Sequence, residues 1–210
     1  MEALLNDTLR NHVSKSYTDR GMYYEEYRRM IDAFLMVGRS TAKKESESLA
    51  EHSRLNVVRM KRLDKTVEII PELKEYVEGI SAPQTWMVIT EGWCGDAAQI
   101  VPVLNKIAEL NDKITLKFLL RDENLQLMDQ YLTNGKSRSI PKLVLLDENN
   151  EELFNFGPRP AILQEMFYHM KANAMANDVI KEEMHKWYAK DKTISMQTEL
   201  LHMLYKNAQQ

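Results

Sequence analysis

With 210 residues, 44% of them hydrophobic and 28% charged, the chain is long enough to bury a sizeable core without help from metals or cross-links. A net charge of −3, with no stretch approaching ~18 apolar residues, argues against nucleic acid or a membrane as partner. The single cysteine, Cys94, excludes an internal disulfide, so any thiol redox chemistry must involve a sulfur from another molecule.

The opening MEALLNDTLRNH contains Glu2 and Asp7 and lacks the apolar run of about 7–15 residues that marks a secretory signal, so a cytoplasmic protein with a reduced thiol is expected. Residues 1–70 read as a helical N-terminal extension. Tyr23, Tyr27, Met30, Ile31 and Phe34 recur at helical spacing. A break follows at Gly38, Arg39 and Ser40, and Leu49, Asn56, Met60, Leu63 and Val67 mark a second helix. Pro71 suits the first turn of a further short helix, and Ser81, Ala82 and Pro83 form a loop.

From there the texture changes. Residues 85–90 (TWMVIT) are short, apolar and rich in β-formers, as are residues 114–120 (ITLKFLL). Between them, Ile100, Val103, Leu104, Ile107 and Leu110 share one helical face over residues 96–110. Asp122 is expected to cap a helix running to Leu132. Residues 142–146 (KLVLL) and 152–156 (ELFNF), joined by Asp147, Glu148, Asn149 and Asn150, predict a hairpin. Ile162, Leu163, Met166, Phe167 and Met170 restart a helix. Residues 176–210 form a C-terminal helical extension, with Ile180, Met184, Trp187 and Tyr188 on one face and Leu200, Leu201 and Leu204 in a further helix. The order implies an α/β fold: a central mixed sheet of about four strands, with one parallel crossover pair and an antiparallel hairpin, flanked by helices. Whether the extensions pack on this domain or make an oligomer contact stays open at this level.

Trp93, Cys94, Gly95, Asp96 and Ala97 stand between a buried strand and an amphipathic helix, and resemble the Trp-Cys-Gly-x-Cys active site of the thioredoxin family. Three further landmarks agree. Pro102 lies eight residues after Cys94, Ile140 and Pro141 open the KLVLL strand where the family has its cis-proline, and Gly157 follows the hairpin. The resemblance implies a thioredoxin-like domain over about residues 71–175, preceded by a helical extension.

The resemblance also assigns roles. Cys94 is the nucleophile, at a helix start whose free amides and dipole favour a thiolate. Trp93, Gly95, Ile140 and Pro141 are the substrate-binding residues: an apolar contact, room for an approaching backbone, and a ledge on which an extended client peptide pairs. Asp96 and Ala97 modulate the site. Asp96 stands where thioredoxins have proline and, as a carboxylate, opposes a nearby thiolate. Ala97 removes the resolving thiol, and Val88 stands where the family places a buried Asp. The expectation is therefore an exposed, reactive Cys94 in monothiol exchange: it attacks a disulfide of a client protein or peptide, or accepts glutathione, and an external thiol, glutathione or another small one, resolves the mixed disulfide.

Two other readings stay open. One is a redox-inactive binding module for a protein or peptide; the other gives the helical extensions the main role as an interface. No cofactor and no metal are expected. The Glu165 and His169 pair lacks a third ligand, and the basic run of Arg54, Arg59, Lys61 and Arg62 reads as a solvated face, with acidic partners the lesser option.

Overall fold

Tyrosine and aliphatic residues at helical spacing give α1 (Lys15–Arg20), α2 (Tyr24–Met36), α3 (Glu47–Thr66) and α4 (Pro71–Glu78) before the first strand. These come from a computed structural model describing residues 11–44 and 46–209. The first ten residues, which carry most of the signal-peptide reading and the start of the N-terminal extension, lie outside the described residues. Two helix starts are locally encoded. The Tyr23 N–H donates to Glu26 Oε2 at 2.7 Å at the head of α2, and the Leu49 N–H donates to Ser46 Oγ at 3.2 Å at the head of α3.

Each β-rich segment becomes a strand: β1 (Gln84–Thr90), β2 (Ile114–Leu120), β3 (Lys142–Leu146) and β4 (Glu152–Phe156). The sheet order is β2-β1-β3-β4. β1 and β2 are parallel, joined through α5 (Ala97–Ala108), and β3 pairs antiparallel with both β1 and β4. This central mixed sheet flanked by helices is a thioredoxin-like fold. β1 and β3 lie inside the sheet, which explains why their residues are apolar almost without alternation.

The region after β2 departs from expectation. Instead of one helix from Asp122 to Leu132, the chain makes a 3₁₀ turn (Arg121–Glu123), the single-turn α6 (Leu125–Met128) and a second 3₁₀ turn (Asp129–Tyr131). Asp122 does not cap it. Its carboxylate pairs with Arg121 Nη2 at 2.8 Å and accepts the Lys43 N–H at 3.3 Å, while Asn124 Nδ2 donates to the Leu120 carbonyl at 2.7 Å.

The flanking helices pack on this domain. Tyr27 of α2 stacks on Phe118 of β2 with centroids 5.1 Å apart, and Met22 exchanges backbone hydrogen bonds with Phe118 at the sheet edge. α3 runs along α5. At the C-terminal end come α7 (Ala161–Ala172), α8 (Asn177–Asp191) and α9 (Ile194–Asn207). α9 joins the main core through Met196, Leu200 and Leu204, and Leu204 O accepts from Tyr76 Oη of α4 at 3.0 Å. α8 differs: with α7 it forms a separate cluster of Leu163, Met170, Ile180, Met184 and Tyr188. Among the described residues no helix is long and apolar enough to cross a membrane.

Candidate functional site around Cys94

Cys94 sits in the loop between β1 and α5, where the tight Gly92 turn brings the chain against Ile31 of α2. Two backbone groups lie against its sulfur. The Ala97 N–H points at Sγ from 3.5 Å, and Ile140, whose peptide bond to Pro141 is cis, places its carbonyl 3.2 Å from Sγ as acceptor of the thiol proton. Exposure is where the structure corrects the expectation. Cys94 is only 8% exposed. Burial, joined by the Asp96 carboxylate, pushes its thiol up to about 12 against the pull of the Ala97 and Asp96 amides and of Arg159. The helix start does favour the anion, but loss of water outweighs it.

Asp96 explains the cover. Its carboxylate is buried and doubly held: Arg159 Nη2 and Nε donate to Oδ2 at 2.6 and 3.1 Å, and Tyr188 Oη donates to Oδ1 at 2.9 Å. Arg159 lies in the segment after β4 and Tyr188 on α8, so one side chain of the motif ties the site to the C-terminal extension. Gly95 has the same neighbour. A Cβ there would lie 3.0 Å from His185 Cε1 of α8, so the space beside this glycine is occupied by an imidazole of the chain itself. Burial, and then the charge of Arg59, hold that imidazole down to about 4, so it is neutral at pH 7.

The remaining predicted residues lie close by. Trp93 is half-buried against the core, with the Arg121 guanidinium 4.8 Å from its ring centroid. Ile140 is 5% exposed, and Ala97 is buried at the head of α5. Val88 is fully buried in β1, opposite Phe118 and Leu143.

A buried acid is present elsewhere. Glu91, three residues before Cys94, is fully buried. It accepts a hydrogen bond from Thr41 Oγ1 and the Asp122 N–H at 3.0 Å, stapling the α2–α3 connection and the turn after β2 to the site loop. Nothing in the sequence around a polar residue at a strand end signals this, because both partners come from distant segments. Burial raises its carboxyl from 4.5 to about 7. The folded state therefore holds a proton that the unfolded chain has released over that interval. The associated stability is full below the unfolded pKa and is lost as pH rises through about 7. Chemical denaturation at a series of pH values is expected to show wild type losing stability relative to Glu91→Gln across that window; parallel profiles would refute it.

Beside Cys94 opens a cleft of about 410 Å³, walled by α3, the site loop, α7 and α8. Leu49, Trp93, Phe167, Ile180 and Met184 supply its apolar surface, and Arg59, Lys181 and His185 its polar rim. Trp93 Nε1 and His185 Nδ1 are buried with no hydrogen-bond partner. Sequence reading placed Arg59 on a solvated face; the structure turns it to this cleft. Among the described residues, no group of three His, Cys, Asp or Glu side chains is placed to hold a metal.

Comparison with known proteins adds the following. A thioredoxin family model matches residues 42–177, well over half of the chain and including α3. Among solved structures, an HIV epitope-scaffold aligns with TM-score 0.55 at 18% identity, covering 88% of this chain and 99% of its own. A protein of unknown function from Pseudomonas aeruginosa aligns with TM-score 0.49 at 20% identity, covering 80% and 96%. No curated protein sequence matches.

Proposed function

The chain belongs to the thioredoxin family, and from that premise we propose that it works as a thioredoxin-fold binding module, with the cleft beside Cys94 as its ligand site and without dithiol exchange. One observation carries this reading. The sulfur is buried beside a helix anchored from the C-terminal extension, and its proton is bonded to the Ile140 carbonyl. In the exchange reading that thiol would have to be an accessible thiolate, and that carbonyl part of the ledge a client peptide adds to. With the thiol pushed up to about 12, the thiolate share at pH 7 falls far below the few per cent of a free cysteine. The loss of both the second thiol, at Ala97, and the family's buried Asp, at Val88, is consistent with the same reading.

Monothiol exchange is the second reading, favoured by the Ala97 amide aimed at Sγ and by Arg159 nearby. Here the Cys94 thiolate attacks a client disulfide and expels one sulfur as a thiolate. A small thiol such as glutathione then resolves the mixed disulfide. This route needs the buried Cys94 to be uncovered first.

Iodoacetamide alkylation of the folded protein across pH separates the two. The expected result is negligible reaction near neutrality without denaturant, and a midpoint well above the ~8.5 of a free thiol. Fast reaction at neutral pH, with a midpoint below that of a free thiol and abolished in Cys94→Ser, would instead establish the exchange reading.

A further inference from the structure

The cleft beside Cys94 carries unbalanced positive charge. Its lining includes Arg59, Arg159, Lys171 and Lys181 but a single carboxylate, Asp96. Asp96 is spent on Arg159 and Tyr188. Lys171 turns to Asn177 Oδ1 and sits over the Phe167 ring. Among the described residues, neither Arg59 nor Lys181 has a carboxylate within ion-pair distance.

Arg59 is not a loose surface cation. It is half-buried, and its Nη1 donates to Asn56 Oδ1 at 2.8 Å. Asn56 is fully buried, and its Nδ2 donates to the Gly92 carbonyl at 3.0 Å, next to Trp93. The site loop thus holds Asn56, and Asn56 holds the guanidinium at the cleft wall. A half-buried cation beside Arg62, with no anion opposite, is a cost to the folded protein that an anionic ligand relieves. Trp93 lies on the same wall. Leu49, Ile180 and Met184 give the cleft apolar wall, and His52 and His185 add two imidazoles. The volume falls within the range of small-molecule sites.

We propose that this cleft binds a small organic carboxylate, an acid group on an apolar body, with Arg59 and Lys181 facing the acid and Trp93, Ile180 and Met184 facing the body. The proposal rests on the binding-module reading and names its ligand class. Arg59 is the discriminating residue, because a guanidinium matches a carboxylate with two parallel hydrogen bonds.

The test uses three probes that share an apolar body and differ in the head group: phenylbutyrate, phenylbutanol and phenylbutylamine. Each is titrated into the full chain by calorimetry, with the Trp93 indole N–H resonance followed in parallel. Phenylbutyrate is expected to bind most tightly and to move that resonance. Arg59→Gln is expected to weaken it about tenfold or more, the range of a charged hydrogen-bonded pair, while leaving the alcohol unchanged. Unfolding curves check that Arg59→Gln and Lys181→Gln are folded. If the alcohol or the amine binds as well as the acid, or Arg59→Gln and Lys181→Gln leave phenylbutyrate unaffected, the carboxylate assignment is overturned, while shifts at Trp93 would keep the cleft as a binding site. If no probe moves Trp93, Arg59 or His185 resonances, the assignment fails together with the binding reading of this cleft.

Discussion

Replacing Gly157 with alanine is expected to destabilise the protein by about 3–5 kcal/mol, combining left-handed backbone strain with overpacking. Gly157 has φ +113°, and a Cβ there would lie 2.3 Å from the Pro141 carbonyl oxygen and 3.5 Å from the Lys142 Cα. These neighbours are backbone, so no rotamer change relieves the overlap. The loss is a large share of the ~5–15 kcal/mol that holds a domain together, and corresponds to a fall in Tm on the order of 10 °C. Gly38→Ala is the control. It has φ +73° with nothing within 4 Å of the added carbon, so it carries the backbone term alone, about 1–2 kcal/mol. Thermal and urea unfolding of both variants decide the matter, and equal losses would remove the steric argument. The site is also affected, because Pro141 follows the Ile140 carbonyl that accepts the Cys94 thiol proton. Displacing that segment is expected to speed alkylation of Cys94.

Asp96→Ala is the second large effect. It leaves Arg159 buried without its carboxylate, and breaking such a pair from one side costs about 3–5 kcal/mol. It also removes the carboxylate that raises the Cys94 pKa and the acceptor that holds Tyr188. Stability is therefore expected to fall while the alkylation midpoint moves down. Tyr188→Phe keeps the ion pair and cuts only the tie to α8, so its expected loss is smaller, about 1–2 kcal/mol. Amide hydrogen exchange is expected to rise throughout α8 in both variants, since α8 packs on α7 in a cluster separate from the main core. Equal stability losses in the two would mean that the Arg159–Asp96 pair contributes little.

Much of this architecture is written in local pattern. The strands, the hairpin, the helix led by Pro71 and the helix behind Cys94 follow from apolar spacing and turn residues within a few positions of one another. The motif at residues 93–97, with Pro102, Pro141 and Gly157, was enough to carry the family resemblance. The broken helix after β2 was not legible, because Asp122 spends its carboxylate on Arg121 and Lys43.

What the sequence determined by itself was the presence of one thiol at a helix start, without a partner cysteine, in a thioredoxin-like frame. Whether that thiol faces water was decided by tertiary structure alone. Arg159 and Tyr188 reach Asp96 from 63 and 92 residues away, His185 stands over Gly95, and the Arg59 guanidinium turns inward through Asn56. A carboxylate beside a cysteine reads the same in sequence whether it is solvated or buried. In the fold Cys94 is buried in the main core and Asp96 is buried beside it, and the loss of water and of dielectric screening raises the thiol.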